Sequence, residues 1–271
     1  MVEVIAELGI NHNGDLEIAK KLIDVAYSAG CDYVKFQKRT VELVYSKEEL
    51  DRERYSPWGT TTREQKYGLE FDEQYYAIDQ YCSDKIPWFA SPWDIRSVEF
   101  LTQWNVPFMK IPSALITNEE ILEYCRVSRH QIILSTGMST YKEINHAIEI
   151  LGQEKIYAIL HCTSTYPTAP EEINAKCILT LKERYPWTKI GFSNHYPGLM
   201  AMLLAVAYGA EMIEMHITLD RTMYGSDQAA SIEPQGLFAL TQRINLIERM
   251  KGDGIKKVYS SEEPILAKLR R

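Results

Sequence analysis

Short apolar runs rich in β-branched and aromatic residues alternate along this chain with longer stretches in which apolar positions recur every three or four residues. The runs are Glu3–Leu8, Tyr33–Gln37, Trp88–Ser91, Phe108–Ile111, Gln131–Ser135, Tyr157–Cys162, Lys189–Ser193 and Met212–Ile217. Between them the spacing predicts helices, among them Leu16–Ala29, Asn118–Val127, Lys142–Leu151, Ala175–Arg184, Met200–Tyr208 and Pro234–Met250. Strands and helices in strict alternation imply parallel pairing with helical crossovers. Several runs are apolar on both faces, as strands are when helices cover one side and a packed interior the other. Eight such units in about 250 residues is the size of a closed (β/α)8 TIM barrel; an open doubly wound sheet is the alternative. Helix starts are marked by Asn118 before Glu119 and Glu120, and by Thr140 before Glu143.

One connection breaks the alternation. From Arg39 to about Gly68 the chain is polar, aperiodic and rich in Trp, Tyr, Thr and Pro, which predicts a lid or binding loop. The last stretch, Lys256 to Arg271, reads as an amphipathic tail with a basic end. Residues 1–271 are expected to form a single barrel with that short tail. Thirty Lys and Arg against 37 Asp and Glu give a net charge of −7, so no polyanion-binding face and no nucleic-acid partner is expected. Cys31, Cys82, Cys125, Cys162 and Cys177 are scattered without a CxxC pair and read as free thiols of a reducing compartment. The longest apolar run, Leu199–Ala207, is far too short to span a bilayer, and no leader-like segment opens the chain. A cytoplasmic protein with no membrane partner is the expectation.

Polar residues punctuate the carboxyl ends of the runs: Glu7, Lys35 with Gln37, Ser91, Lys110 with Ser113, Ser135 with Thr136, His161 to Ser164, Ser193 to His195, and Glu214 with His216. In a parallel barrel these ends converge on the face where active sites sit. His195 in GFSNH and His216 in MIEMH each close an apolar run whose preceding alternate residue, Ser193 or Glu214, is polar, so both rings are directed to a shared cavity. Two neutral imidazoles near a carboxylate suit a borderline divalent cation with open coordination positions. A lone histidine of this kind is ordinarily a satisfied core residue; the pairing is what favours a metal. A lysine buried on a strand is costly without an anion, so Lys35 and Lys110 read as anion ligands, with the Ser and Thr hydroxyls as further donors. The bland alternative is that each snorkels from its strand end.

Other candidates are weaker. Asn11 and His12 in GINHNG sit in a turn that Asn-Gly would form unaided. His130 and His146 fall on helical stretches and are expected at the surface. His161 and Cys162 are adjacent on a strand and point to opposite faces, which argues against a Cys–His nucleophile. Tyr75, Tyr76 and Tyr81 lack basic interleaving and read as helix packing.

The strings AELGINHNG, YVKFQ, ASP, KIPS, ILSTGM, HCTSTYPT, GFSNH, MIEMHIT and GSDQAASIEP run in order from about Val4 to Leu269. Together they resemble the sialic acid synthase family, which includes N-acetylneuraminate synthase and related nonulosonate synthases. The resemblance implies a (β/α)8 barrel that condenses phosphoenolpyruvate with an N-acetylated hexosamine such as N-acetylmannosamine. The products are phosphate and a nine-carbon 2-keto-3-deoxy sugar acid, and the implied cofactor is a divalent metal, manganese (Mn2+) first, with Mg2+ or Co2+ as substitutes. It further implies His195 and His216 as metal ligands and Glu7 beside a metal-bound water. Lys35, Ser91, Lys110, Ser113, Ser135, Ser164 and Ser193 match phosphoenolpyruvate contacts, and Gln37, Tyr166 and Asp227 match positions near the sugar, with Glu214 close by. Catalytic roles fall to Glu7, Lys35, Lys110 and Glu214, and Asn194 counts among the substrate-binding positions. The chain departs from the family pattern with Ser91 for a frequent Thr, Ser164 for Asn, Asn194 for Asp, and no β-hairpin ahead of Val4. No antifreeze-protein-like domain is expected; in the family dimer that domain lends an arginine to the partner's sugar site. A homodimer is compatible with the resemblance.

Two other readings of the same residues stay open. One is an aldolase using Lys110 or Lys35 as a Schiff-base nucleophile; the other is a sugar-phosphate-binding barrel without catalysis.

Overall fold

A computed structural model of the chain describes residues 1–53, 71 and 73–270. Its strands β1 (Glu3–Gly9), β2 (Tyr33–Lys38), β3 (Trp88–Pro92), β4 (Phe108–Ile111), β5 (Gln131–Ser135), β6 (Ile156–Cys162), β7 (Lys189–Asn194) and β8 (Met212–His216) follow one another around a closed barrel. β1 pairs in parallel with both β2 and β8. The fold is therefore the (β/α)8 barrel, and the open sheet is excluded. The described helices are α1 (Leu16–Ser28), α2 (Val41–Val44), α3 (Lys47–Asp51), α4 (Gln74–Cys82), α5 (Ile95–Thr102), α6 (Glu119–Val127), α7 (Tyr141–Leu151), α8 (Cys177–Arg184), α9 (Met200–Ala207), α10 (Pro234–Met250) and α11 (Glu263–Leu269).

Side-chain caps set where these helices begin. Asp15 accepts from the backbone N–H groups of Glu17 and Ile18, Asp94 from Ser97 and Asn118 from Ile121, while Thr140 and Glu143 close a reciprocal capping box. The interior fills in layers. At the N-terminal end Glu3 Oε1 accepts hydrogen bonds from Tyr157 (2.7 Å) and Lys189 (2.9 Å), and Tyr33 meets Phe108 edge to face at 5.3 Å. Ile5, Phe89, Ile133, Leu160 and Met212 are buried in the middle, each two residues before a polar strand end and so on the same face.

The structure departs from the sequence expectation in particular places. The connection from Arg39 to Gly68 opens with two short helices, α2 and α3, the latter begun by a capping box of Ser46 with Glu49; the rest of that connection lies outside the described residues. His130 is neither helical nor exposed: it sits in the bend before β5, buried, with Nε2 3.0 Å from the Trp104 carbonyl. A turn covered by a neighbouring loop leaves no periodic signature, which is why it read as surface. His146 does lie on the exposed face of α7, 2.7 Å from Glu119. Tyr75 is fully buried and stacked on Trp88, and Tyr81 donates to Asp24 at 2.7 Å, so these aromatics pack as expected. The five cysteines are free thiols. Among the described residues no helix is long and apolar enough to cross a membrane.

One glycine is required by the barrel interior. A Cβ on Gly191 of β7 would stand 2.5 Å from Leu160 Cδ2 and 2.6 Å from the Met212 carbonyl oxygen. That carbonyl is fixed in the strand, so Gly191→Ala is expected to lower the unfolding free energy by about 1–3 kcal/mol through overpacking. The check is a urea midpoint displaced downward at unchanged slope.

Candidate active site

Strand register sets the polar ends side by side. Glu7 is level with Lys35 on β2 and with His216 on β8, Gln37 is level with Ser91, and Ser193 is level with both Cys162 and Glu214. These residues line a cavity of about 180 Å3 at the carboxyl mouth of the barrel, together with Trp93, Lys110, Ser113, Ser135, Met138, Ser164, Tyr166 and His195. Thirteen of the fifteen residues singled out from the sequence are thus brought together; Asn194 and Asp227 are not among the lining residues. Asn194 turns its amide onto the next loop, donating to the Tyr196 carbonyl (2.8 Å) and accepting from the Tyr196 N–H (3.2 Å). It faces outward because it follows an inward-facing Ser193. Asp227 lies behind His216, with Oδ2 4.0 Å from Nδ1.

Two buried ion pairs dominate the cavity. Lys35 and Lys110 are 3% and 5% exposed, so neither snorkels. Lys35 Nζ contacts Glu7 Oε2 and donates to Ser91 Oγ at 3.1 Å. Lys110 Nζ donates to Glu214 Oε1 at 2.7 Å, and that oxygen also accepts from Ser193 Oγ at 3.2 Å. Burial works against the charge on Lys110, but the Glu214 carboxylate outweighs it and raises the ammonium pKa. Burial likewise pushes Glu214 up, and Lys110 with Lys35 overrides it, holding the carboxyl well below its usual range. Glu214 Oε2 and Ser135 Oγ are buried without a hydrogen-bond partner. Buried polar atoms are ordinarily satisfied, so orphans of this kind inside a charged cavity mark a ligand site.

Several supporting residues escaped the sequence reading. Gln37 Nε2 donates to Glu7 Oε1 at 3.2 Å, and Arg39, stacked over Trp93 at 4.8 Å, donates to Gln37 Oε1 and to Tyr45 Oη at 2.5 Å. The one available signal for Arg39 was its parity with Lys35 and Gln37 beyond the end of β2. Cys162, read from the sequence only as a free thiol, lines the cavity with Sγ 3.7 Å from His195 Nδ1. The GINHNG turn is structural: Asn11 Nδ2 donates to the Ile217 carbonyl and to Ser231 Oγ, both at 2.8 Å, binding this loop to the end of β8. His12 is buried and stacked on Phe71 at 4.0 Å, and burial pushes its pKa down to about 3. Gly9, at φ +52°, lets the chain turn away where a Cβ would stand 3.1 Å from both Glu7 Oε1 and the His216 ring.

The two site histidines are the side chains that could hold a cation. His195 Nδ1 lies 2.7 Å from the Thr163 carbonyl and so carries the proton, which leaves Nε2 as the acceptor. Burial first, then the neighbouring His216 ring, pushes the His195 pKa down to about 4 and keeps the imidazole neutral. The His216 ring centre is 6.1 Å away, and its Nδ1 is buried without a hydrogen-bond partner. A neutral ring with a backbone-fixed tautomer is the form that ligates metal. Among the described residues no group of three or more His, Cys, Asp or Glu side chains is placed to hold a metal ion. The two imidazoles alone could hold a cation only with its other coordination positions left open, which is not the donor set of a closed structural site.

Residues 22–256 match the NeuB family. The chain is 40% identical to N-acetylneuraminate-9-phosphate synthase of Drosophila melanogaster, over 97% of this chain and 73% of that protein. It is 38% identical to N,N'-diacetyllegionaminic acid synthase of Campylobacter jejuni, over 96% of this chain and 80% of that protein. Among solved structures, N-acetylneuraminic acid synthetase of Leptospira borgpetersenii, crystallised with citrate, is similar with a TM-score of 0.86 at 34% identity, over 100% of this chain and 93% of that one. Family pattern, curated relatives and fold coincide on the barrel that carries the site. The chain belongs to the NeuB family, that of the sialic acid and nonulosonate synthases.

Proposed function

We propose that this enzyme condenses phosphoenolpyruvate with an N-acetylated hexosamine, N-acetylmannosamine or a relative, to a nine-carbon 2-keto-3-deoxy sugar acid and phosphate, in the presence of a divalent cation such as manganese. The observation that carries this reading is the convergence of Lys35, Lys110 and five serine hydroxyls with two imidazoles on one small cavity. The synthase names of the curated relatives support the product class.

Lys35 and Lys110, with Ser91, Ser113, Ser135, Ser164 and Ser193, bind the phosphate and carboxylate of the enol phosphate and fix its reactive face. Gln37 and Tyr166 line the mouth and orient the acceptor sugar, with Asp227 beyond His216. His195 and His216 would hold the cation, which supplies Lewis-acid polarisation of the open-chain aldehyde. The enol C3 attacks the aldehyde carbon to form the C–C bond, and the aldehyde oxygen takes up a proton. Glu214, kept ionised by Lys110, faces the positive charge that develops at C2. Glu7, steadied by Gln37 and Lys35, accepts a proton from the water that adds there. The tetrahedral adduct then breaks its C2–O bond, releasing phosphate and leaving the keto group. A Schiff-base aldolase needs a neutral amine, and the pairing of Lys110 with Glu214 opposes that reading.

Incubation with phosphoenolpyruvate, Mn2+ and a panel of N-acetylated hexosamines is expected to release phosphate with at least one sugar, and borohydride is expected to trap no keto acid on the protein. His216→Ala should abolish the cation-dependent turnover; a variant that kept full activity in chelator-treated buffer would overturn the metal assignment.

Lys110→Met strands Glu214 as an uncompensated buried charge and is expected to cost about 3–5 kcal/mol of stability near neutral pH. The sign with pH is fixed by the shift. In the wild type the depressed Glu214 pKa adds stability above the unfolded carboxylate pKa, and this is lost as pH falls through the folded value. In the variant the carboxyl pKa rises, so protonation relieves the penalty, and the gap between the two denaturation curves should narrow on acidification. A gap that widened instead would refute the coupling.

A further inference from the structure

His195 has one lone pair to give, and a tyrosine holds it. With Nδ1–H committed to the Thr163 carbonyl at 2.7 Å, Nε2 is the acceptor, and the Tyr166 hydroxyl donates to it at 2.5 Å with the two ring centres 3.9 Å apart. The same Tyr166 side chain lines the reaction cavity, yet the residue is 54% exposed. An exposed aromatic ring changes rotamer far faster than turnover, so this hydrogen bond is a contact the residue can leave. His216, by contrast, has its Nδ1 buried without a hydrogen-bond partner, and its ring centre lies 6.1 Å from that of Tyr166. A nitrogen lone pair cannot accept a proton donor and bind a cation together.

We propose that Tyr166 is an internal competitor for the cation site: its hydroxyl caps His195 Nε2 in the unloaded enzyme, is displaced when a divalent cation enters, and is thereby released to the acceptor sugar in the same cavity. This rests on the assignment of His195 and His216 as the cation ligands. Two consequences follow from the geometry. The cation engages His216 first and His195 only after the phenol has left, so apparent affinity is the intrinsic affinity multiplied by the fraction of molecules in the uncapped state. Cation and sugar also promote each other's binding, since each favours the state in which Tyr166 has turned away from His195, and such coupling is reciprocal.

The test reads binding, not turnover. The full chain, stripped by chelator dialysis, is titrated with Co2+ against a competing chelator, following the Co2+ absorption band and the near-ultraviolet tyrosine difference spectrum. Removing one neutral hydrogen bond in Tyr166→Phe is expected to tighten Co2+ binding about three- to tenfold and to abolish the tyrosine difference signal that accompanies loading of the wild type. Tyr166→Leu should behave alike, and thermal midpoints show whether each variant is folded. Equal or weaker Co2+ affinity in folded variants, with clear binding by the wild type, overturns the cap. A wild type that binds no Co2+ rejects the cation assignment itself and the cap with it, so the two failures are told apart.

Discussion

Four charges buried at one end of a closed barrel are what the rest of the site depends on. Glu7, Lys35, Lys110 and Glu214 are each at most 5% exposed. An ion removed from water costs several kcal/mol even after relaxation, and the cost is offset only when its partner is held in good geometry. None of the four could be kept without the others, and the rigid ladder that puts Glu7 level with Lys35 provides that geometry. The two pairs sum to zero charge. The proposed enol phosphate would add up to three negative charges to a cavity whose ammonium groups already face carboxylates, so the resident charges alone would not neutralise it. Two imidazoles that could hold a dication beside those pairs would answer the imbalance, which links the histidines to the lysines electrostatically as well as spatially.

The seam where the barrel closes carries the most sensitive part of this arrangement. β1 and β8 meet there, with Glu7 level with His216, and the Ile217 N–H continues the ladder by donating to the Glu7 carbonyl at 2.9 Å. Asn11 crosses the same seam to Ile217 and Ser231, and the buried, neutral His12 braces the loop against Phe71. These two residues drew attention in the sequence as polar groups in a turn. Their function is to hold the first loop down so that a carboxylate and an imidazole from opposite ends of the chain stay adjacent.

Much of this was legible beforehand because parallel-barrel strands translate sequence parity directly into position. A polar residue ending an apolar run points the same way as the apolar residue two before it, so Lys35, Lys110, Glu214 and Ser193 could be assigned to one cavity without coordinates. Parity also explains the failures. Asn194 falls one residue out of phase with Ser193 and turns to Tyr196 instead. His130 lies in a bend with no period to read, and its burial under Trp104 is a tertiary contact. Arg39 holds Gln37 from beyond the last paired residue of β2, where parity with Lys35 and Gln37 is the only signal and no apolar run supports it. The caps at Asn118 and Thr140 were readable because they are local; the ion pairings of the lysines were not, since Lys110 and Glu214 are 104 residues apart.

Charge by itself does not make the site, as the opposite end of the same barrel demonstrates. There Glu3, Lys189 and Tyr157 form a comparable network, yet Tyr33, Phe108 and Tyr157 fill the space around it, with Phe108 and Tyr157 ring centres 4.3 Å apart. At the carboxyl mouth the corresponding volume is lined by Ser91, Ser113, Ser135, Ser164 and Ser193, and a Cβ on Gly137 would come within 2.2 Å of Ser164 Oγ. Small side chains leave about 180 Å3 beside the lysines, where large ones at the other end pack against the ion pair and leave its lysine 37% and its glutamate 20% exposed. Comparable networks thus stand against packed rings at one end and beside an open cavity at the other, and the size of the neighbouring side chains makes the difference.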